Sequence, residues 1–223
     1  MSWNEQPQTT LIDVDERKDS LLAHFEPSKH TLPDAHFVEW FSGTDLDVVW
    51  DQRHPVGSGT IRMSDLVDEG LEIITGTTAN SQSVIEFDTL RQYSENGCVV
   101  IGVGRAVEAT NRRVFMGLNR TLSFADSYAF ISNGTVETNW ALRTRSDAVA
   151  ETITESSIPT DEVFHYGKMQ LDGTTGTLHL DGILEATKTN TLPDNPMNPM
   201  CTSRSLGSAA RTCRFRYYEA YNT

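Results

Sequence analysis

Cleaving a glycosidic bond takes two carboxyl groups about 5 Å apart, one acting as nucleophile and the other as proton donor. The sequence brings carboxylates near one another in Ile85-Glu86-Phe87-Asp88 and in Asp13-Val14-Asp15, the second on an expected helix. Six histidines (His24, His30, His36, His54, His165 and His179) are scattered, with no His-Glu-x-x-His pair for zinc and no Gly-x-Ser-x-Gly elbow for a serine nucleophile. His165 and His179 fall on consecutive expected strands and could face each other, an arrangement more often structural than metal-binding. Gly102-Val103-Gly104 lacks the rest of a dinucleotide fingerprint and reads as a strand with close backbone packing. Cys98, Cys201 and Cys213 have no Cys-x-x-Cys spacing, so three buried thiols are expected, with one disulfide and a spare thiol as the alternative, rather than a zinc site.

Composition narrows the partners. The 223 residues carry 31 acidic and 18 basic side chains, a formal net charge of −13, and only four of the basic ones are lysine (Lys18, Lys29, Lys168 and Lys188). Such a surface repels nucleic acid, because phosphate contacts need clustered Lys or Arg. Acidic, lysine-poor composition resembles that of proteins from halophiles, where salt screens the self-repulsion. No stretch approaches the ~18 apolar residues of a membrane span. The N-terminal MSWNEQPQTT shows no charged region followed by an apolar run, so a soluble protein without a secretory signal is expected.

The elements that would position any site are strands. Val163 to Thr187 reads with period two as a meander, with turns at Asp172-Gly173 and Asp181-Gly182, because an Asp-Gly pair supplies the positive φ of a type I′ turn. Further strands are expected at Leu46–Trp50, Gly59–Met63, Gly70–Thr77, Ser83–Phe87, Cys98–Val107, Arg113–Leu118, Ser127–Ser132, Thr138–Arg145, Val149–Thr154 and Cys213–Tyr221. Val99 to Val103 is an unbroken apolar run and should lie mid-sheet. The prolines between Asn190 and Ser205 argue against a central strand there. Residues 1–44 read as an N-terminal, partly helical arm: a capping box at Thr10 opens a helix that Pro27 closes, and Phe25, Phe37, Trp40 and Phe41 make the segment apolar enough to bury either against its own sandwich or against a neighbouring subunit or larger particle. Residues 45–223 form the sandwich.

The aromatic-His start Phe164-His165, the segment TLHLDGILEAT, Leu192-Pro193 and the closing Arg216–Tyr221 strand together resemble the C-terminal half of concanavalin-like jelly rolls. That superfamily includes laminarinase-type glycoside hydrolases, laminin-G-like modules and virion-surface domains. The resemblance implies an all-β sandwich of two antiparallel sheets and leaves function open. In the hydrolases the catalytic carboxylates sit on one strand as Glu-x-Asp-x-Glu, and this sequence has no such run. No catalytic residue is therefore assigned and no enzyme is expected.

For glycan binding the candidates are Asn139, Arg143, Arg145, Tyr128 and Trp140. Alternation along TNWALRTR turns Trp140 toward the core and Asn139, Arg143 and Arg145 outward to solvent, while Tyr128 could join either layer. Calcium braces the sugar site in many relatives, and Asp45, Asp47 and Asp51 cluster by sequence, but no loop matches a calcium pattern, so no cofactor is assigned and calcium is left open. The apolar arm, acidic composition and absent catalytic set lead to the expectation of a virion-surface protein of a halophilic host. It would be a capsid decoration, turret or tail component, assembled in the host cytoplasm as a homo-oligomer (trimer or pentamer) with other capsid or tail proteins, and able to touch host glycans. The alternatives are a free-standing lectin-like module and a laminarinase-type hydrolase.

Overall fold

The computed structural model describes residues 35–66, 68–87, 93–108, 110–120, 127–134, 138–147 and 149–223. Among them lie fifteen strands: β1 (His36–Trp40), β2 (Asp51–Val56), β3 (Gly59–Met63), β4 (Leu71–Thr75), β5 (Gln82–Glu86), β6 (Cys98–Ala106), β7 (Arg112–Asn119), β8 (Tyr128–Gly134), β9 (Asn139–Arg145), β10 (Thr152–Pro159), β11 (His165–Leu171), β12 (Gly176–Leu180), β13 (Ile183–Lys188), β14 (Asn198–Ser205) and β15 (Thr212–Asn222). They build two antiparallel sheets. One is eight-stranded, in the order β13-β12-β11-β6-β15-β4-β3 with β1 also on β15; the other is seven-stranded, in the order β10-β9-β8-β7-β14-β5-β2. No helix among the described residues is long and apolar enough to cross a membrane.

The faces follow from alternation. At Gly102 of β6 a Cβ would come within 2.1 Å of the Met116 sulfur on β7, so this face of the first sheet packs tightly on the second. Trp140 of β9 stands edge-on to His165 of β11 with ring centroids 5.6 Å apart, which turns Trp140 into the same interior. Val99 to Val103 lies mid-sheet as expected, with β6 flanked by β11 and β15. All three cysteines are buried free thiols, and burial pushes Cys98 up to about 12.

The meander turns differ from one another. Asp181 and Gly182 form a two-residue turn, both with positive φ (51° and 87°). Only a glycine takes φ near +87° without strain, so Gly182→Ala should cost about 1–2 kcal/mol, read as a lower denaturant midpoint at unchanged slope. At Asp172-Gly173 only the glycine is left-handed, and the Asp172 carboxylate instead accepts bonds from Thr174 N (2.9 Å) and Thr175 N (2.5 Å).

Three expectations need correction. Asn198–Ser205 is a strand, β14, between β5 and β7, despite Pro199. The proline is tolerated because its carbonyl, and hence the side on which an N–H would lie, faces Phe87 N (3.2 Å) just past the end of β5. No strand covers Leu46–Trp50; the pairing begins at Asp51. The sandwich also includes residues before 45, since β1 pairs with β15 from His36↔Tyr221 to Trp40↔Tyr217. Within it Phe37 is buried against Trp50, Phe87 and Tyr218, and Phe41 against Trp50, so neither is available on a docking arm; Trp40 is exposed. Phe25 and the expected N-terminal helix lie outside the described residues.

Candidate functional site

The outward face of the seven-stranded sheet is assembled by cross-strand register. Tyr128 sits opposite Asn119 and Arg145, Phe130 opposite Gly117 and Arg143, and Phe115 opposite Thr202 and Ser132. Val84, Phe115, Tyr128, Phe130 and Met200 make one apolar cluster here, each no more than 3% exposed. The Phe130 ring lies 5.4 Å from Phe115 and 5.2 Å from Tyr128, and the Arg143 guanidinium is 5.4 Å from the Phe115 ring centre.

The alternation expected for β9 holds, but solvent exposure does not. Arg143 does point away from the interior, yet it is 1% exposed and its Nη1 donates to Glu151 (2.6 Å), which also accepts the Tyr128 hydroxyl. Burial raises the Glu151 carboxyl, but the bonds from Tyr128 and Arg143 and the charge of Arg143 outweigh it and hold the group below its usual range. The Tyr128 hydroxyl is pushed up by its own burial and by that carboxylate. Arg145 is half-buried, and Asn139 donates its side-chain amide to Ser156 O (2.7 Å). Trp140 is buried and inward, as expected, so the five residues are split between two layers.

Carboxylates gather in several places among the described residues, and three of them differ in use. His165, a half-buried side chain, meets Asp161 at Nε2 (2.9 Å) and Asp181 at Nδ1 (2.7 Å). Burial lowers the imidazole, but the two hydrogen-bonded carboxylates dominate and raise it above its ordinary 6.5. The stabilisation is therefore complete below pH 6.5 and is lost as pH rises through the raised value. His165→Gln should remove the part of the melting-temperature decline seen on passing upward from pH 6.5, measured as the difference between variant and wild type. His179, the expected partner, faces the other way on β12, opposite Lys168 and Leu184. At one end of the sandwich Asp147 and Asp194 both accept from the Asn195 amide (3.0 and 3.1 Å). Asp147 also binds Ser127 N (2.5 Å) and Arg120, and Asp194 binds the Ser127 hydroxyl and Asp147 N, so both act as loop staples.

The third place is on the outward face of the seven-stranded sheet. Asp51 of β2 is the direct cross-strand partner of Glu86 of β5, which sets their Cβ atoms about 5 Å apart on one face. Arg53, two residues along β2, spans them: Nη2 donates to Asp51 (3.1 Å) and Nε lies 3.5 Å from Glu86. Glu86 is 7% exposed, whereas half of the Asp51 side chain is open to solvent. Two carboxyl side chains brought together as neighbours on one sheet face are the minimum that two-carboxylate chemistry requires. The sequence shows Glu86 beside Asp88, and nothing local announces Asp51, because a cross-strand neighbour is set by sheet register. Asp88 itself lies outside the described residues. The expected Asp45, Asp47 and Asp51 grouping does not form: Asp45 accepts from the Thr44 hydroxyl (3.2 Å), Asp47 caps Val49 N (3.1 Å) and Asp51 belongs to the pair with Glu86. Among the described residues no group of three or more His, Cys, Asp or Glu is arranged to hold a metal ion.

No family model matches this sequence, and no curated protein matches it. Solved structures do. A Bacillus licheniformis beta-glucanase superposes with TM-score 0.64 at 12% identity, covering 85% of this chain and 99% of its own. The Crh5 transglycosylase gives 0.63 at 13% identity, covering 86% of both chains, and the carbohydrate recognition domain of Emp46p gives 0.54 at 10% identity, covering 78% and 88%. The fold is the concanavalin-like jelly roll. At these identities the likeness concerns fold, and it confirms the architecture that the Phe164–Tyr221 resemblance implied. It also overturns the expectation of a non-enzymatic virion-surface component. The named matches on this jelly roll are glucanases, transglycosylases and a carbohydrate recognition domain, and none is a virion protein. The missing Glu-x-Asp-x-Glu run was thus no basis for excluding an enzyme, since the sheet brings carboxylates together from separate strands.

Proposed function

We propose that the protein acts on neutral β-glucan as a glycoside hydrolase or transglycosylase, with Asp51 and Glu86 as its working carboxyl groups. The observation that carries this reading is the β2–β5 register, which sets the two carboxyls side by side on one sheet face with Arg53 across them. The substrate class is supported by the proteins that share the fold, which include beta-1,3- and beta-1,3-1,4-glucanases. In the reaction one carboxyl gives its proton to the glycosidic oxygen as the C1–O bond breaks. The other either takes the proton of a water that attacks C1, or itself attacks C1 to form a glycosyl ester, which a water, or in transglycosylation a sugar hydroxyl, then displaces from C1 while the first carboxylate takes back the proton. Arg53 offsets the negative charge of the pair and orients both groups.

The experiment is incubation of the full chain with soluble β-1,3-glucan and with mixed-linkage β-1,3-1,4-glucan, followed by product analysis. Shortened or re-joined chains are expected from the wild type and absent from Glu86→Gln. Glucan left intact by the wild type, or processed equally by the variant, overturns the assignment.

A further inference from the structure

The outward face of the eight-stranded sheet carries an aromatic row that packing does not require. Register aligns Trp40, Tyr217, Val103 and Tyr166 across β1, β15, β6 and β11. Four adjacent strands span about 14 Å, comparable with a short run of pyranose rings. Trp40 is 63% exposed and Tyr166 is 40% exposed. The Trp40 and Tyr217 rings lie 4.4 Å apart, tilted by 51°. Four residues further along these strands His36 stands edge-on to Tyr221 (5.6 Å). Glu219 sits between the two pairs, accepting from the Tyr217 hydroxyl (2.6 Å) and meeting His36 Nε2 (2.9 Å). One carboxylate therefore orients rings on two strands. Beyond Trp40 the row opens into a cavity of about 670 Å³ whose lining includes Phe41, Met63, Leu66 and Arg216.

We propose that this strip is a second carbohydrate site, separate from the Asp51–Glu86 pair, which holds a neutral polysaccharide chain. The proposal rests on the glucan-directed reading above. A pyranose ring offers an apolar C–H face and a rim of hydroxyls. The Trp40, Tyr217 and Tyr166 rings suit the first, and Glu219, with Lys168 and Gln170 at neighbouring outward positions of β11, suits the second. Charge selects against other occupants. A carboxylate in the middle of the strip, on a chain of net charge −13, repels polyanions such as nucleic acid and anionic lipid surfaces. The strip would keep a long substrate on the molecule while cleavage proceeds on the opposite sheet.

The test is electrophoresis of the full chain through gels containing β-1,3-glucan or mixed-linkage glucan, with tryptophan fluorescence titration as a second readout. Trp40 and Tyr166 are exposed, so the Trp40→Ala/Tyr166→Ala double variant should melt as the wild type does. Retarded migration of the wild type is expected, with apparent Kd at least tenfold weaker in the double variant and cleavage of short oligosaccharides unchanged. Glu86→Gln should still be retarded. Trp50 and Trp140 are buried, so with Trp3 replaced by Phe in both proteins a glucan-induced emission change should vanish in Trp40→Phe. Equal retardation of double variant and wild type, no retardation of the wild type, or loss of retardation in Glu86→Gln overturns the proposal; the last would place binding at the carboxylate pair. Retardation that depends on Trp40 and Tyr166 without any cleavage upholds this inference and removes only the catalytic one.

Discussion

Glu86→Gln lowers glucan turnover by about a thousandfold or more, equivalent to about 4 kcal/mol of transition-state stabilisation. Asp51→Asn does the same. Both changes nearly preserve shape, and the cross-strand pair lies at the β2 edge of its sheet, so the melting temperature should move little while activity disappears. An activated aryl glycoside then separates the two roles. Its leaving group departs without a proton, so the variant lacking the proton donor still cleaves it, whereas the variant lacking the nucleophile does not. Unchanged turnover in both variants would remove Asp51 and Glu86 from the chemistry.

Glu72→Ala should destabilise the fold by about 3 kcal/mol, because it strips partly buried guanidinium groups of their carboxylate. Glu72 is 5% exposed and accepts from Arg214 Nε (3.0 Å) and Nη2 (2.6 Å) and from Arg62 Nε (2.9 Å). Neighbouring Glu69 takes Arg214 Nη1 (2.8 Å) and Arg105. For a chain of this size that loss corresponds to a melting temperature lower by about 6–12 °C. Burial raises both carboxyls, but the Arg214 hydrogen bonds, together with Arg62 at Glu72 and Arg105 at Glu69, prevail and hold them below 4.5. Their folded values lie beneath the unfolded one, so the stabilisation is complete above pH 4.5 and fades as pH falls through the depressed values. Acid unfolding of Glu72→Ala should consequently show a shallower dependence on pH than that of the wild type. A variant with wild-type stability at pH 7 would show this network to be energetically neutral.

The two effects test different layers of the same sandwich. The Glu69–Glu72–Arg214 network lies on the outward face of the eight-stranded sheet, where Glu72 pairs across strands with Arg62 and Arg214. The Asp51–Glu86 pair belongs to the other sheet. Loss of stability without loss of activity, or the reverse, therefore separates support from chemistry.

Local signals in the sequence were enough for the strands from Gly59 onward apart from β14, the Asp181-Gly182 turn, the mid-sheet position of Val99 to Val103 and the burial of the three cysteines. Each depends on short-range periodicity or on the backbone preference of one or two residues, which neighbours along the chain already determine. Alternation also told which way Trp140 and Arg143 point. It could not tell that Arg143 would be buried against Phe115 and committed to Glu151, because burial depends on what the rest of the chain brings to that face. The same limit explains β1, which fills the free edge of β15, and β14, where Pro199 is harmless only because Phe87 stands past the end of β5. It explains the candidate site as well. Asp51 and Glu86 are unremarkable in their own segments, and so are Trp40, Tyr217 and Tyr166; only sheet register, which pairs residues far apart in sequence, makes one a carboxylate pair and the other an aromatic strip.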